Sequence, residues 1–97
     1  MKPSDALHTH RAGIRRIVES HRAGNARVFG SVAQGLDSHS SDLDLLIDPT
    51  TPQTTLFDIG AIRHELTQLL GVPVDVVTPQ ALPEKFRTAV LAQAVPV

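Results

Sequence analysis

Apolar residues recur along this chain at two alternating periods, and that alternation predicts an order of elements. Ser4 is placed to cap a helix in which Leu7, Ile14, Ile17 and Val18 share one face, and Gly24 is its expected stop, so residues 1–24 read as one N-terminal helix. Ala26 to Phe29 reads as a short strand, after which Gly30 and Ser31 turn into a brief helix that Gly35 ends. The run from Leu36 to Ser41 is a polar loop. From Asp42 to Asp48 the period is two, with Leu43, Leu45 and Ile47 on one side and Asp42, Asp44, Leu46 and Asp48 on the other. Pro49 ends that strand. Thr55 and Asp58 have the spacing of a capping box, and Leu56, Ile59, Ile62, Leu66 and Leu69 then keep helical spacing as far as Gly71. Val74 to Val77 is a third strand, and Pro83 suits the first turn of a last helix over 82–95, ahead of the apolar tail Val95, Pro96 and Val97. The order predicts an α+β (α/β) fold: one domain over 1–97, with a small mixed sheet of three to four strands and helices packed on one face. Strands within 25–48 and 72–78 would carry any site.

Composition narrows the classes. The 97 residues hold 9 Lys+Arg against 10 Asp+Glu, and a net charge of -1 argues against extended nucleic-acid binding through a basic surface. The absence of cysteine excludes disulfide scaffolds, zinc ribbons and thiol catalysis. No apolar run is long enough to span a bilayer and the start lacks a signal peptide's apolar centre, so the expectation is a cytoplasmic protein with no membrane partner. The charge is unevenly spread. Residues 1–27 are basic, whereas 28–62 contain five aspartates (37, 42, 44, 48 and 58) and no Lys or Arg.

That acidic stretch carries the candidate chemistry. Ten residues separate Gly30-Ser31 from the pair in Asp42-Leu43-Asp44. Carboxylates at i and i+2 of a strand point the same way, roughly 6–7 Å apart. They repel each other, and a divalent cation between them turns the repulsion into binding. Oxygen ligands, with no cysteine and no histidine pair at metal spacing, favour Mg²⁺ or Mn²⁺ over zinc. A glycine before Ser31 lets the backbone approach a bulky anion, and the amides after it would hold phosphate oxygens. Asp75 joins by parity: with Val74 and Val76 in the core, it shares the face of Asp42 and Asp44. A third carboxylate there could share a metal and take the proton of an attacking hydroxyl.

Gly30-Ser31, Asp42-Leu43-Asp44 and Asp75 within Gly71-Val-Pro-Val-Asp-Val-Val77 together resemble the signature of the minimal nucleotidyltransferase (MNT) domains of the DNA-polymerase-beta-like superfamily, from about Arg27 onward. The resemblance implies the polymerase-beta-like nucleotidyltransferase fold and Mg²⁺-dependent transfer of AMP from ATP to a hydroxyl. It implies Asp42, Asp44 and Asp75 as ligands of two metal ions, Asp75 also as base, and Gly30, Ser31, Gln34 and Ser41 as nucleotide-binding positions. Gln34 departs from the pattern: many relatives carry arginine there, and an amide can hydrogen-bond a phosphate without offsetting its charge. His39 reads as a solvated loop residue. Small stand-alone relatives resemble the antitoxin halves of prokaryotic HEPN/MNT pairs. The expected acceptor is therefore a tyrosine of a HEPN ribonuclease toxin, silenced in a hetero-oligomer. Two alternatives are a non-catalytic antitoxin that acts by occlusion and an aminoglycoside-type small-molecule nucleotidyltransferase.

Overall fold

In the computed structural model, which describes residues 1–97, the central strand β2 (Leu43–Pro49) buries Leu43, Leu45, Leu46 and Ile47 completely. A strand covered on both faces belongs inside a sheet, and the strand order is β3-β2-β1-β4. β1 (Ala23–Phe29) runs antiparallel to β2, β3 (Val74–Val77) runs parallel to it, and β4 (Val95–Pro96) pairs antiparallel with β1. The parallel pair needs a crossover, which α4 (Leu56–Leu70) supplies. Thr55 and Asp58 do form the capping box that starts α4, and Gly71, at φ 68°, closes it in the left-handed conformation glycine adopts freely. Ile62 and Leu66 of α4 pack with Leu7, Ile14, Val18 and Leu45 in the main core. No helix is long and apolar enough to cross a membrane.

Several elements differ from the pattern-based expectation. The N-terminal segment is two helices, α1 (Pro3–Thr9) and α2 (Arg11–Ser20), broken at His10. Leu7 and Ile14 are seven residues apart and face the same way with or without a break, so periodicity is blind to it. Lys2 rather than Ser4 is the N-cap of α1, and the Ser4 N–H donates instead to Asp37 Oδ2 at 2.9 Å. Gly24 lies inside β1, which starts three residues earlier than expected. A bulge between Gly24 and Arg27 interrupts its register, with Asn25 at φ 49°, a conformation asparagine tolerates.

The C-terminal segment also differs. The last helix, α5, is Glu84–Gln93, shorter at both ends than 82–95; a 3₁₀ turn (Pro79–Ala81) precedes it and the apolar tail becomes β4. Two basic residues of α2 hold that tail: Arg15 donates to the Val97 carbonyl at 3.0 Å and Arg11 to that of Pro96 at 3.5 Å. Leu46, which alternation groups with the aspartates, is fully buried all the same, where β2 pairs with Val77 of β3. Leu56, which helical spacing groups with Leu66, is 84% exposed beside Phe57 at 90%. Leu66→Ala is therefore expected to cost about 2–5 kcal/mol in urea unfolding, whereas Leu56→Ala should stay within about 0.5 kcal/mol of the parent.

Candidate active site

β1 ends opposite the start of β2. The register pairs Phe29 with Asp44 and Asp44 with Asp75, so these three residues form one row across three strands, on the face away from the Leu45 core. Asp42 precedes β2 at the same end. From Phe29 the chain turns through Gly30, at φ 71°, into α3 (Gly30–Gln34). A β-carbon at Gly30 would lie 3.3 Å from Asp44 Cγ and would overlap Oδ2. Only glycine allows backbone and carboxylate to approach so closely.

The aspartates of the acidic stretch divide into two groups. Asp37 ties the loop to α1 through Ser4, and that backbone N–H is the main cause holding its carboxyl below the usual range. Asp48 accepts from Asn25 Nδ2 at 2.8 Å and from Arg27 Nη2 at 3.2 Å. Asp58 caps α4. Asp42 and Asp44, with Asp75 from β3, accept no hydrogen bond from a protein side chain or loop amide and enter no ion pair; the two ion pairs are His21–Glu65 and Arg27–Asp48. Burial, then the charges of Asp75 and Asp42, push the Asp44 carboxyl above its ordinary value of 3.8. Three hard oxygen donors without protein partners suit a magnesium-type cation. No three carboxylate or imidazole groups close into a finished cage, so such a cation would need further oxygens, as a phosphate offers.

The remaining candidate positions are placed unequally. Ser31 follows Gly30 directly and is half-buried, with no protein partner for its hydroxyl. Gln34 is exposed and its amide points to Gln93 Oε1 on α5 at 3.5 Å. Ser41 accepts from the Ser38 N–H at 2.9 Å and shapes the loop in which His39 is exposed. Arg63 escaped sequence reasoning. It lies with Thr67, one helical turn on, in a cleft of about 520 Å³ between the second half of α4 and β3, whose wall includes Asp42 and Asp75. Their spacing on α4 was the available signal, but it marks a shared helix face and nothing more.

A mixed sheet of this order, with a Gly-Ser turn packed against a row of carboxylates, is the architecture of a nucleotidyltransferase. The chain matches the nucleotidyltransferase domain family over residues 11–96 and belongs to it. A Methanocaldococcus jannaschii protein named, by inference, as a protein adenylyltransferase is 31% identical over 81 residues, 84% of this chain and 86% of the relative. A solved structure named, again by inference, as a minimal nucleotidyltransferase superposes with a TM-score of 0.85 at 37% identity, covering 97% of this chain and 95% of the other. A chain from a crystal structure of a toxin-antitoxin with AMP-PNP shares the fold, with a TM-score of 0.69 at 16% identity, covering 97% of this chain and 71% of that one.

A raised carboxyl pKa means that the folded state binds the proton more tightly than the unfolded chain does. Ionised Asp44 thus lowers stability above its raised pKa, and stability returns as pH falls toward 3.8. Asp44→Asn is expected to raise the melting temperature at pH 7 in the presence of a chelator. In a pH series of thermal melts that advantage should shrink on acidification.

Proposed function

We propose that this chain is an adenylyltransferase that moves AMP from ATP to a protein hydroxyl, and that the acceptor is a tyrosine of a HEPN ribonuclease toxin, which it silences as a cytoplasmic antitoxin. The observation that carries the chemistry is the set of three carboxylates without protein partners beside Gly30. The names of the relatives support a protein acceptor. The fold neighbour solved with AMP-PNP in a toxin-antitoxin supports the nucleotide and the kind of partner.

In this reaction the hydroxyl oxygen bonds to the α-phosphorus of ATP and the bond from that phosphorus to the bridging oxygen of the β-phosphate breaks. Pyrophosphate leaves, and the hydroxyl proton passes to the Asp75 carboxylate. The Gly30 backbone and the Ser31 hydroxyl hold the triphosphate, with Gln34 and Ser41 at its rim. Asp42, Asp44 and Asp75, together with phosphate oxygens, would hold two Mg²⁺ ions, for which Mn²⁺ could substitute; such ions would offset phosphate charge and polarise the reacting phosphoryl group.

Incubation with a candidate HEPN partner, labelled ATP and Mg²⁺ should place label on a partner tyrosine. Joint Asp42→Asn and Asp44→Asn substitution should lower transfer by at least about a hundredfold. An unlabelled partner, under conditions where the two proteins bind, counts against adenylyl transfer. The turning of Gln34 toward α5, which leaves no cation at that position, favours a second reading: neutralisation by occlusion. The double variant separates the two, because an occluding protein still neutralises its partner without the carboxylates.

A further inference from the structure

We infer that the cleft carrying Arg63 is the acceptor side of the site, and that Arg63 selects acceptors with a carboxylate next to the reacting hydroxyl; this assignment rests on the adenylyl-transfer reading above. Asp44 lies on the middle strand of the site. On its β1 flank stands the Gly30-Ser31 turn, and on its β3 flank stand Asp75 and the cleft. Neighbouring strands lie about 4.8 Å apart, so the two flanks are about 10 Å apart across Asp44. In phosphoryl transfer the attacking and leaving oxygens sit roughly in line on opposite sides of the phosphorus. Pyrophosphate departing on the β1 flank therefore requires the hydroxyl to arrive on the β3 flank. The route on that side is the cleft, which passes Asp75.

The charge of the cleft then says what it accepts. Two of its walls carry Asp42 and Asp75, which repel an anion approaching the reacting centre. Arg63 is the one basic residue lining it, is exposed, and takes part in neither ion pair of the chain. Its guanidinium donates to no protein acceptor, so its planar set of donors is free for a ligand, and a carboxylate matches that geometry in a bidentate pair. A volume of about 520 Å³ admits a tyrosine with a neighbouring acidic side chain. An acceptor with glutamate or aspartate beside its hydroxyl residue would satisfy Arg63 while the hydroxyl faces Asp75.

Two synthetic peptides test this, identical except that the single tyrosine is flanked by glutamates in one and by glutamines in the other. Transfer of AMP to each is followed at varied peptide concentration, and the affinity for AMP-PNP is titrated separately. The wild type should use the glutamate peptide about tenfold better in kcat/KM, since a charge-assisted bidentate pair is of that size. Arg63→Ala should erase the preference and Arg63→Glu should reverse it in favour of the glutamine peptide, each with unchanged AMP-PNP affinity. Equal use of the glutamate and glutamine peptides by the wild type overturns the inference, as does transfer to neither peptide by a protein that binds AMP-PNP. A loss of AMP-PNP affinity in Arg63→Ala that matches its loss of transfer also overturns it, by assigning the arginine to the donor phosphates. Label on a HEPN partner without discrimination between the peptides leaves adenylyl transfer standing and removes only the role of Arg63, whereas a wild type that binds no AMP-PNP removes both.

Discussion

Only a hydrogen atom fits between the backbone at residue 30 and the carboxylate of Asp44. That contact fixes where β1 must stop, because the chain has to leave the sheet in a left-handed turn as soon as Phe29 has paired with Asp44. It also sets the direction of α3, whose first turn presents Ser31 at the same end of the sheet. The antiparallel β1–β2 register, the parallel β2–β3 register and the α4 crossover all converge on one row of residues. Any larger side chain at Gly30 would have to displace the carboxylate or the turn.

The acidic centre of the chain is partitioned by its partners. Arg27 and Asn25 hold Asp48, Ser4 holds Asp37, and the α4 cap uses Asp58. The aspartates left without such partners are gathered at one end of the sheet, where their mutual repulsion and the burial of Asp44 work against the empty fold. A cation and triphosphate that bind only the folded state would reverse that cost by mass action. The basic N-terminal helices serve a different end, since Arg11 and Arg15 hold the last residues of the chain rather than a ligand.

Much of this was legible in the residues. Alternation placed Asp42 and Asp44 on one side of β2, and parity placed Asp75 with them, because a strand with Val74 in the core leaves its neighbour no other face. The Thr55–Asp58 box marked the start of α4 because capping is a local interaction. What stayed hidden depends on distant partners. The break at His10 preserves the apolar period, β4 forms through its pairing with β1 beside the two arginines that hold the tail, and Leu46 is buried on the face that alternation assigns to the aspartates. Arg63 enters the cleft only because the parallel crossover returns α4 beside β3. No pattern along the chain contains that return.

β3 is an outer strand of the sheet, and its far edge offers unpaired backbone groups to any passing strand. A short apolar edge of this kind invites a second copy to extend the sheet, and an exposed charge within it is a common defence. Asp75 is that charge. The residue proposed to accept a proton is thus also the exposed charge of the sheet's outer strand, so chemistry and edge protection fall to the same carboxylate.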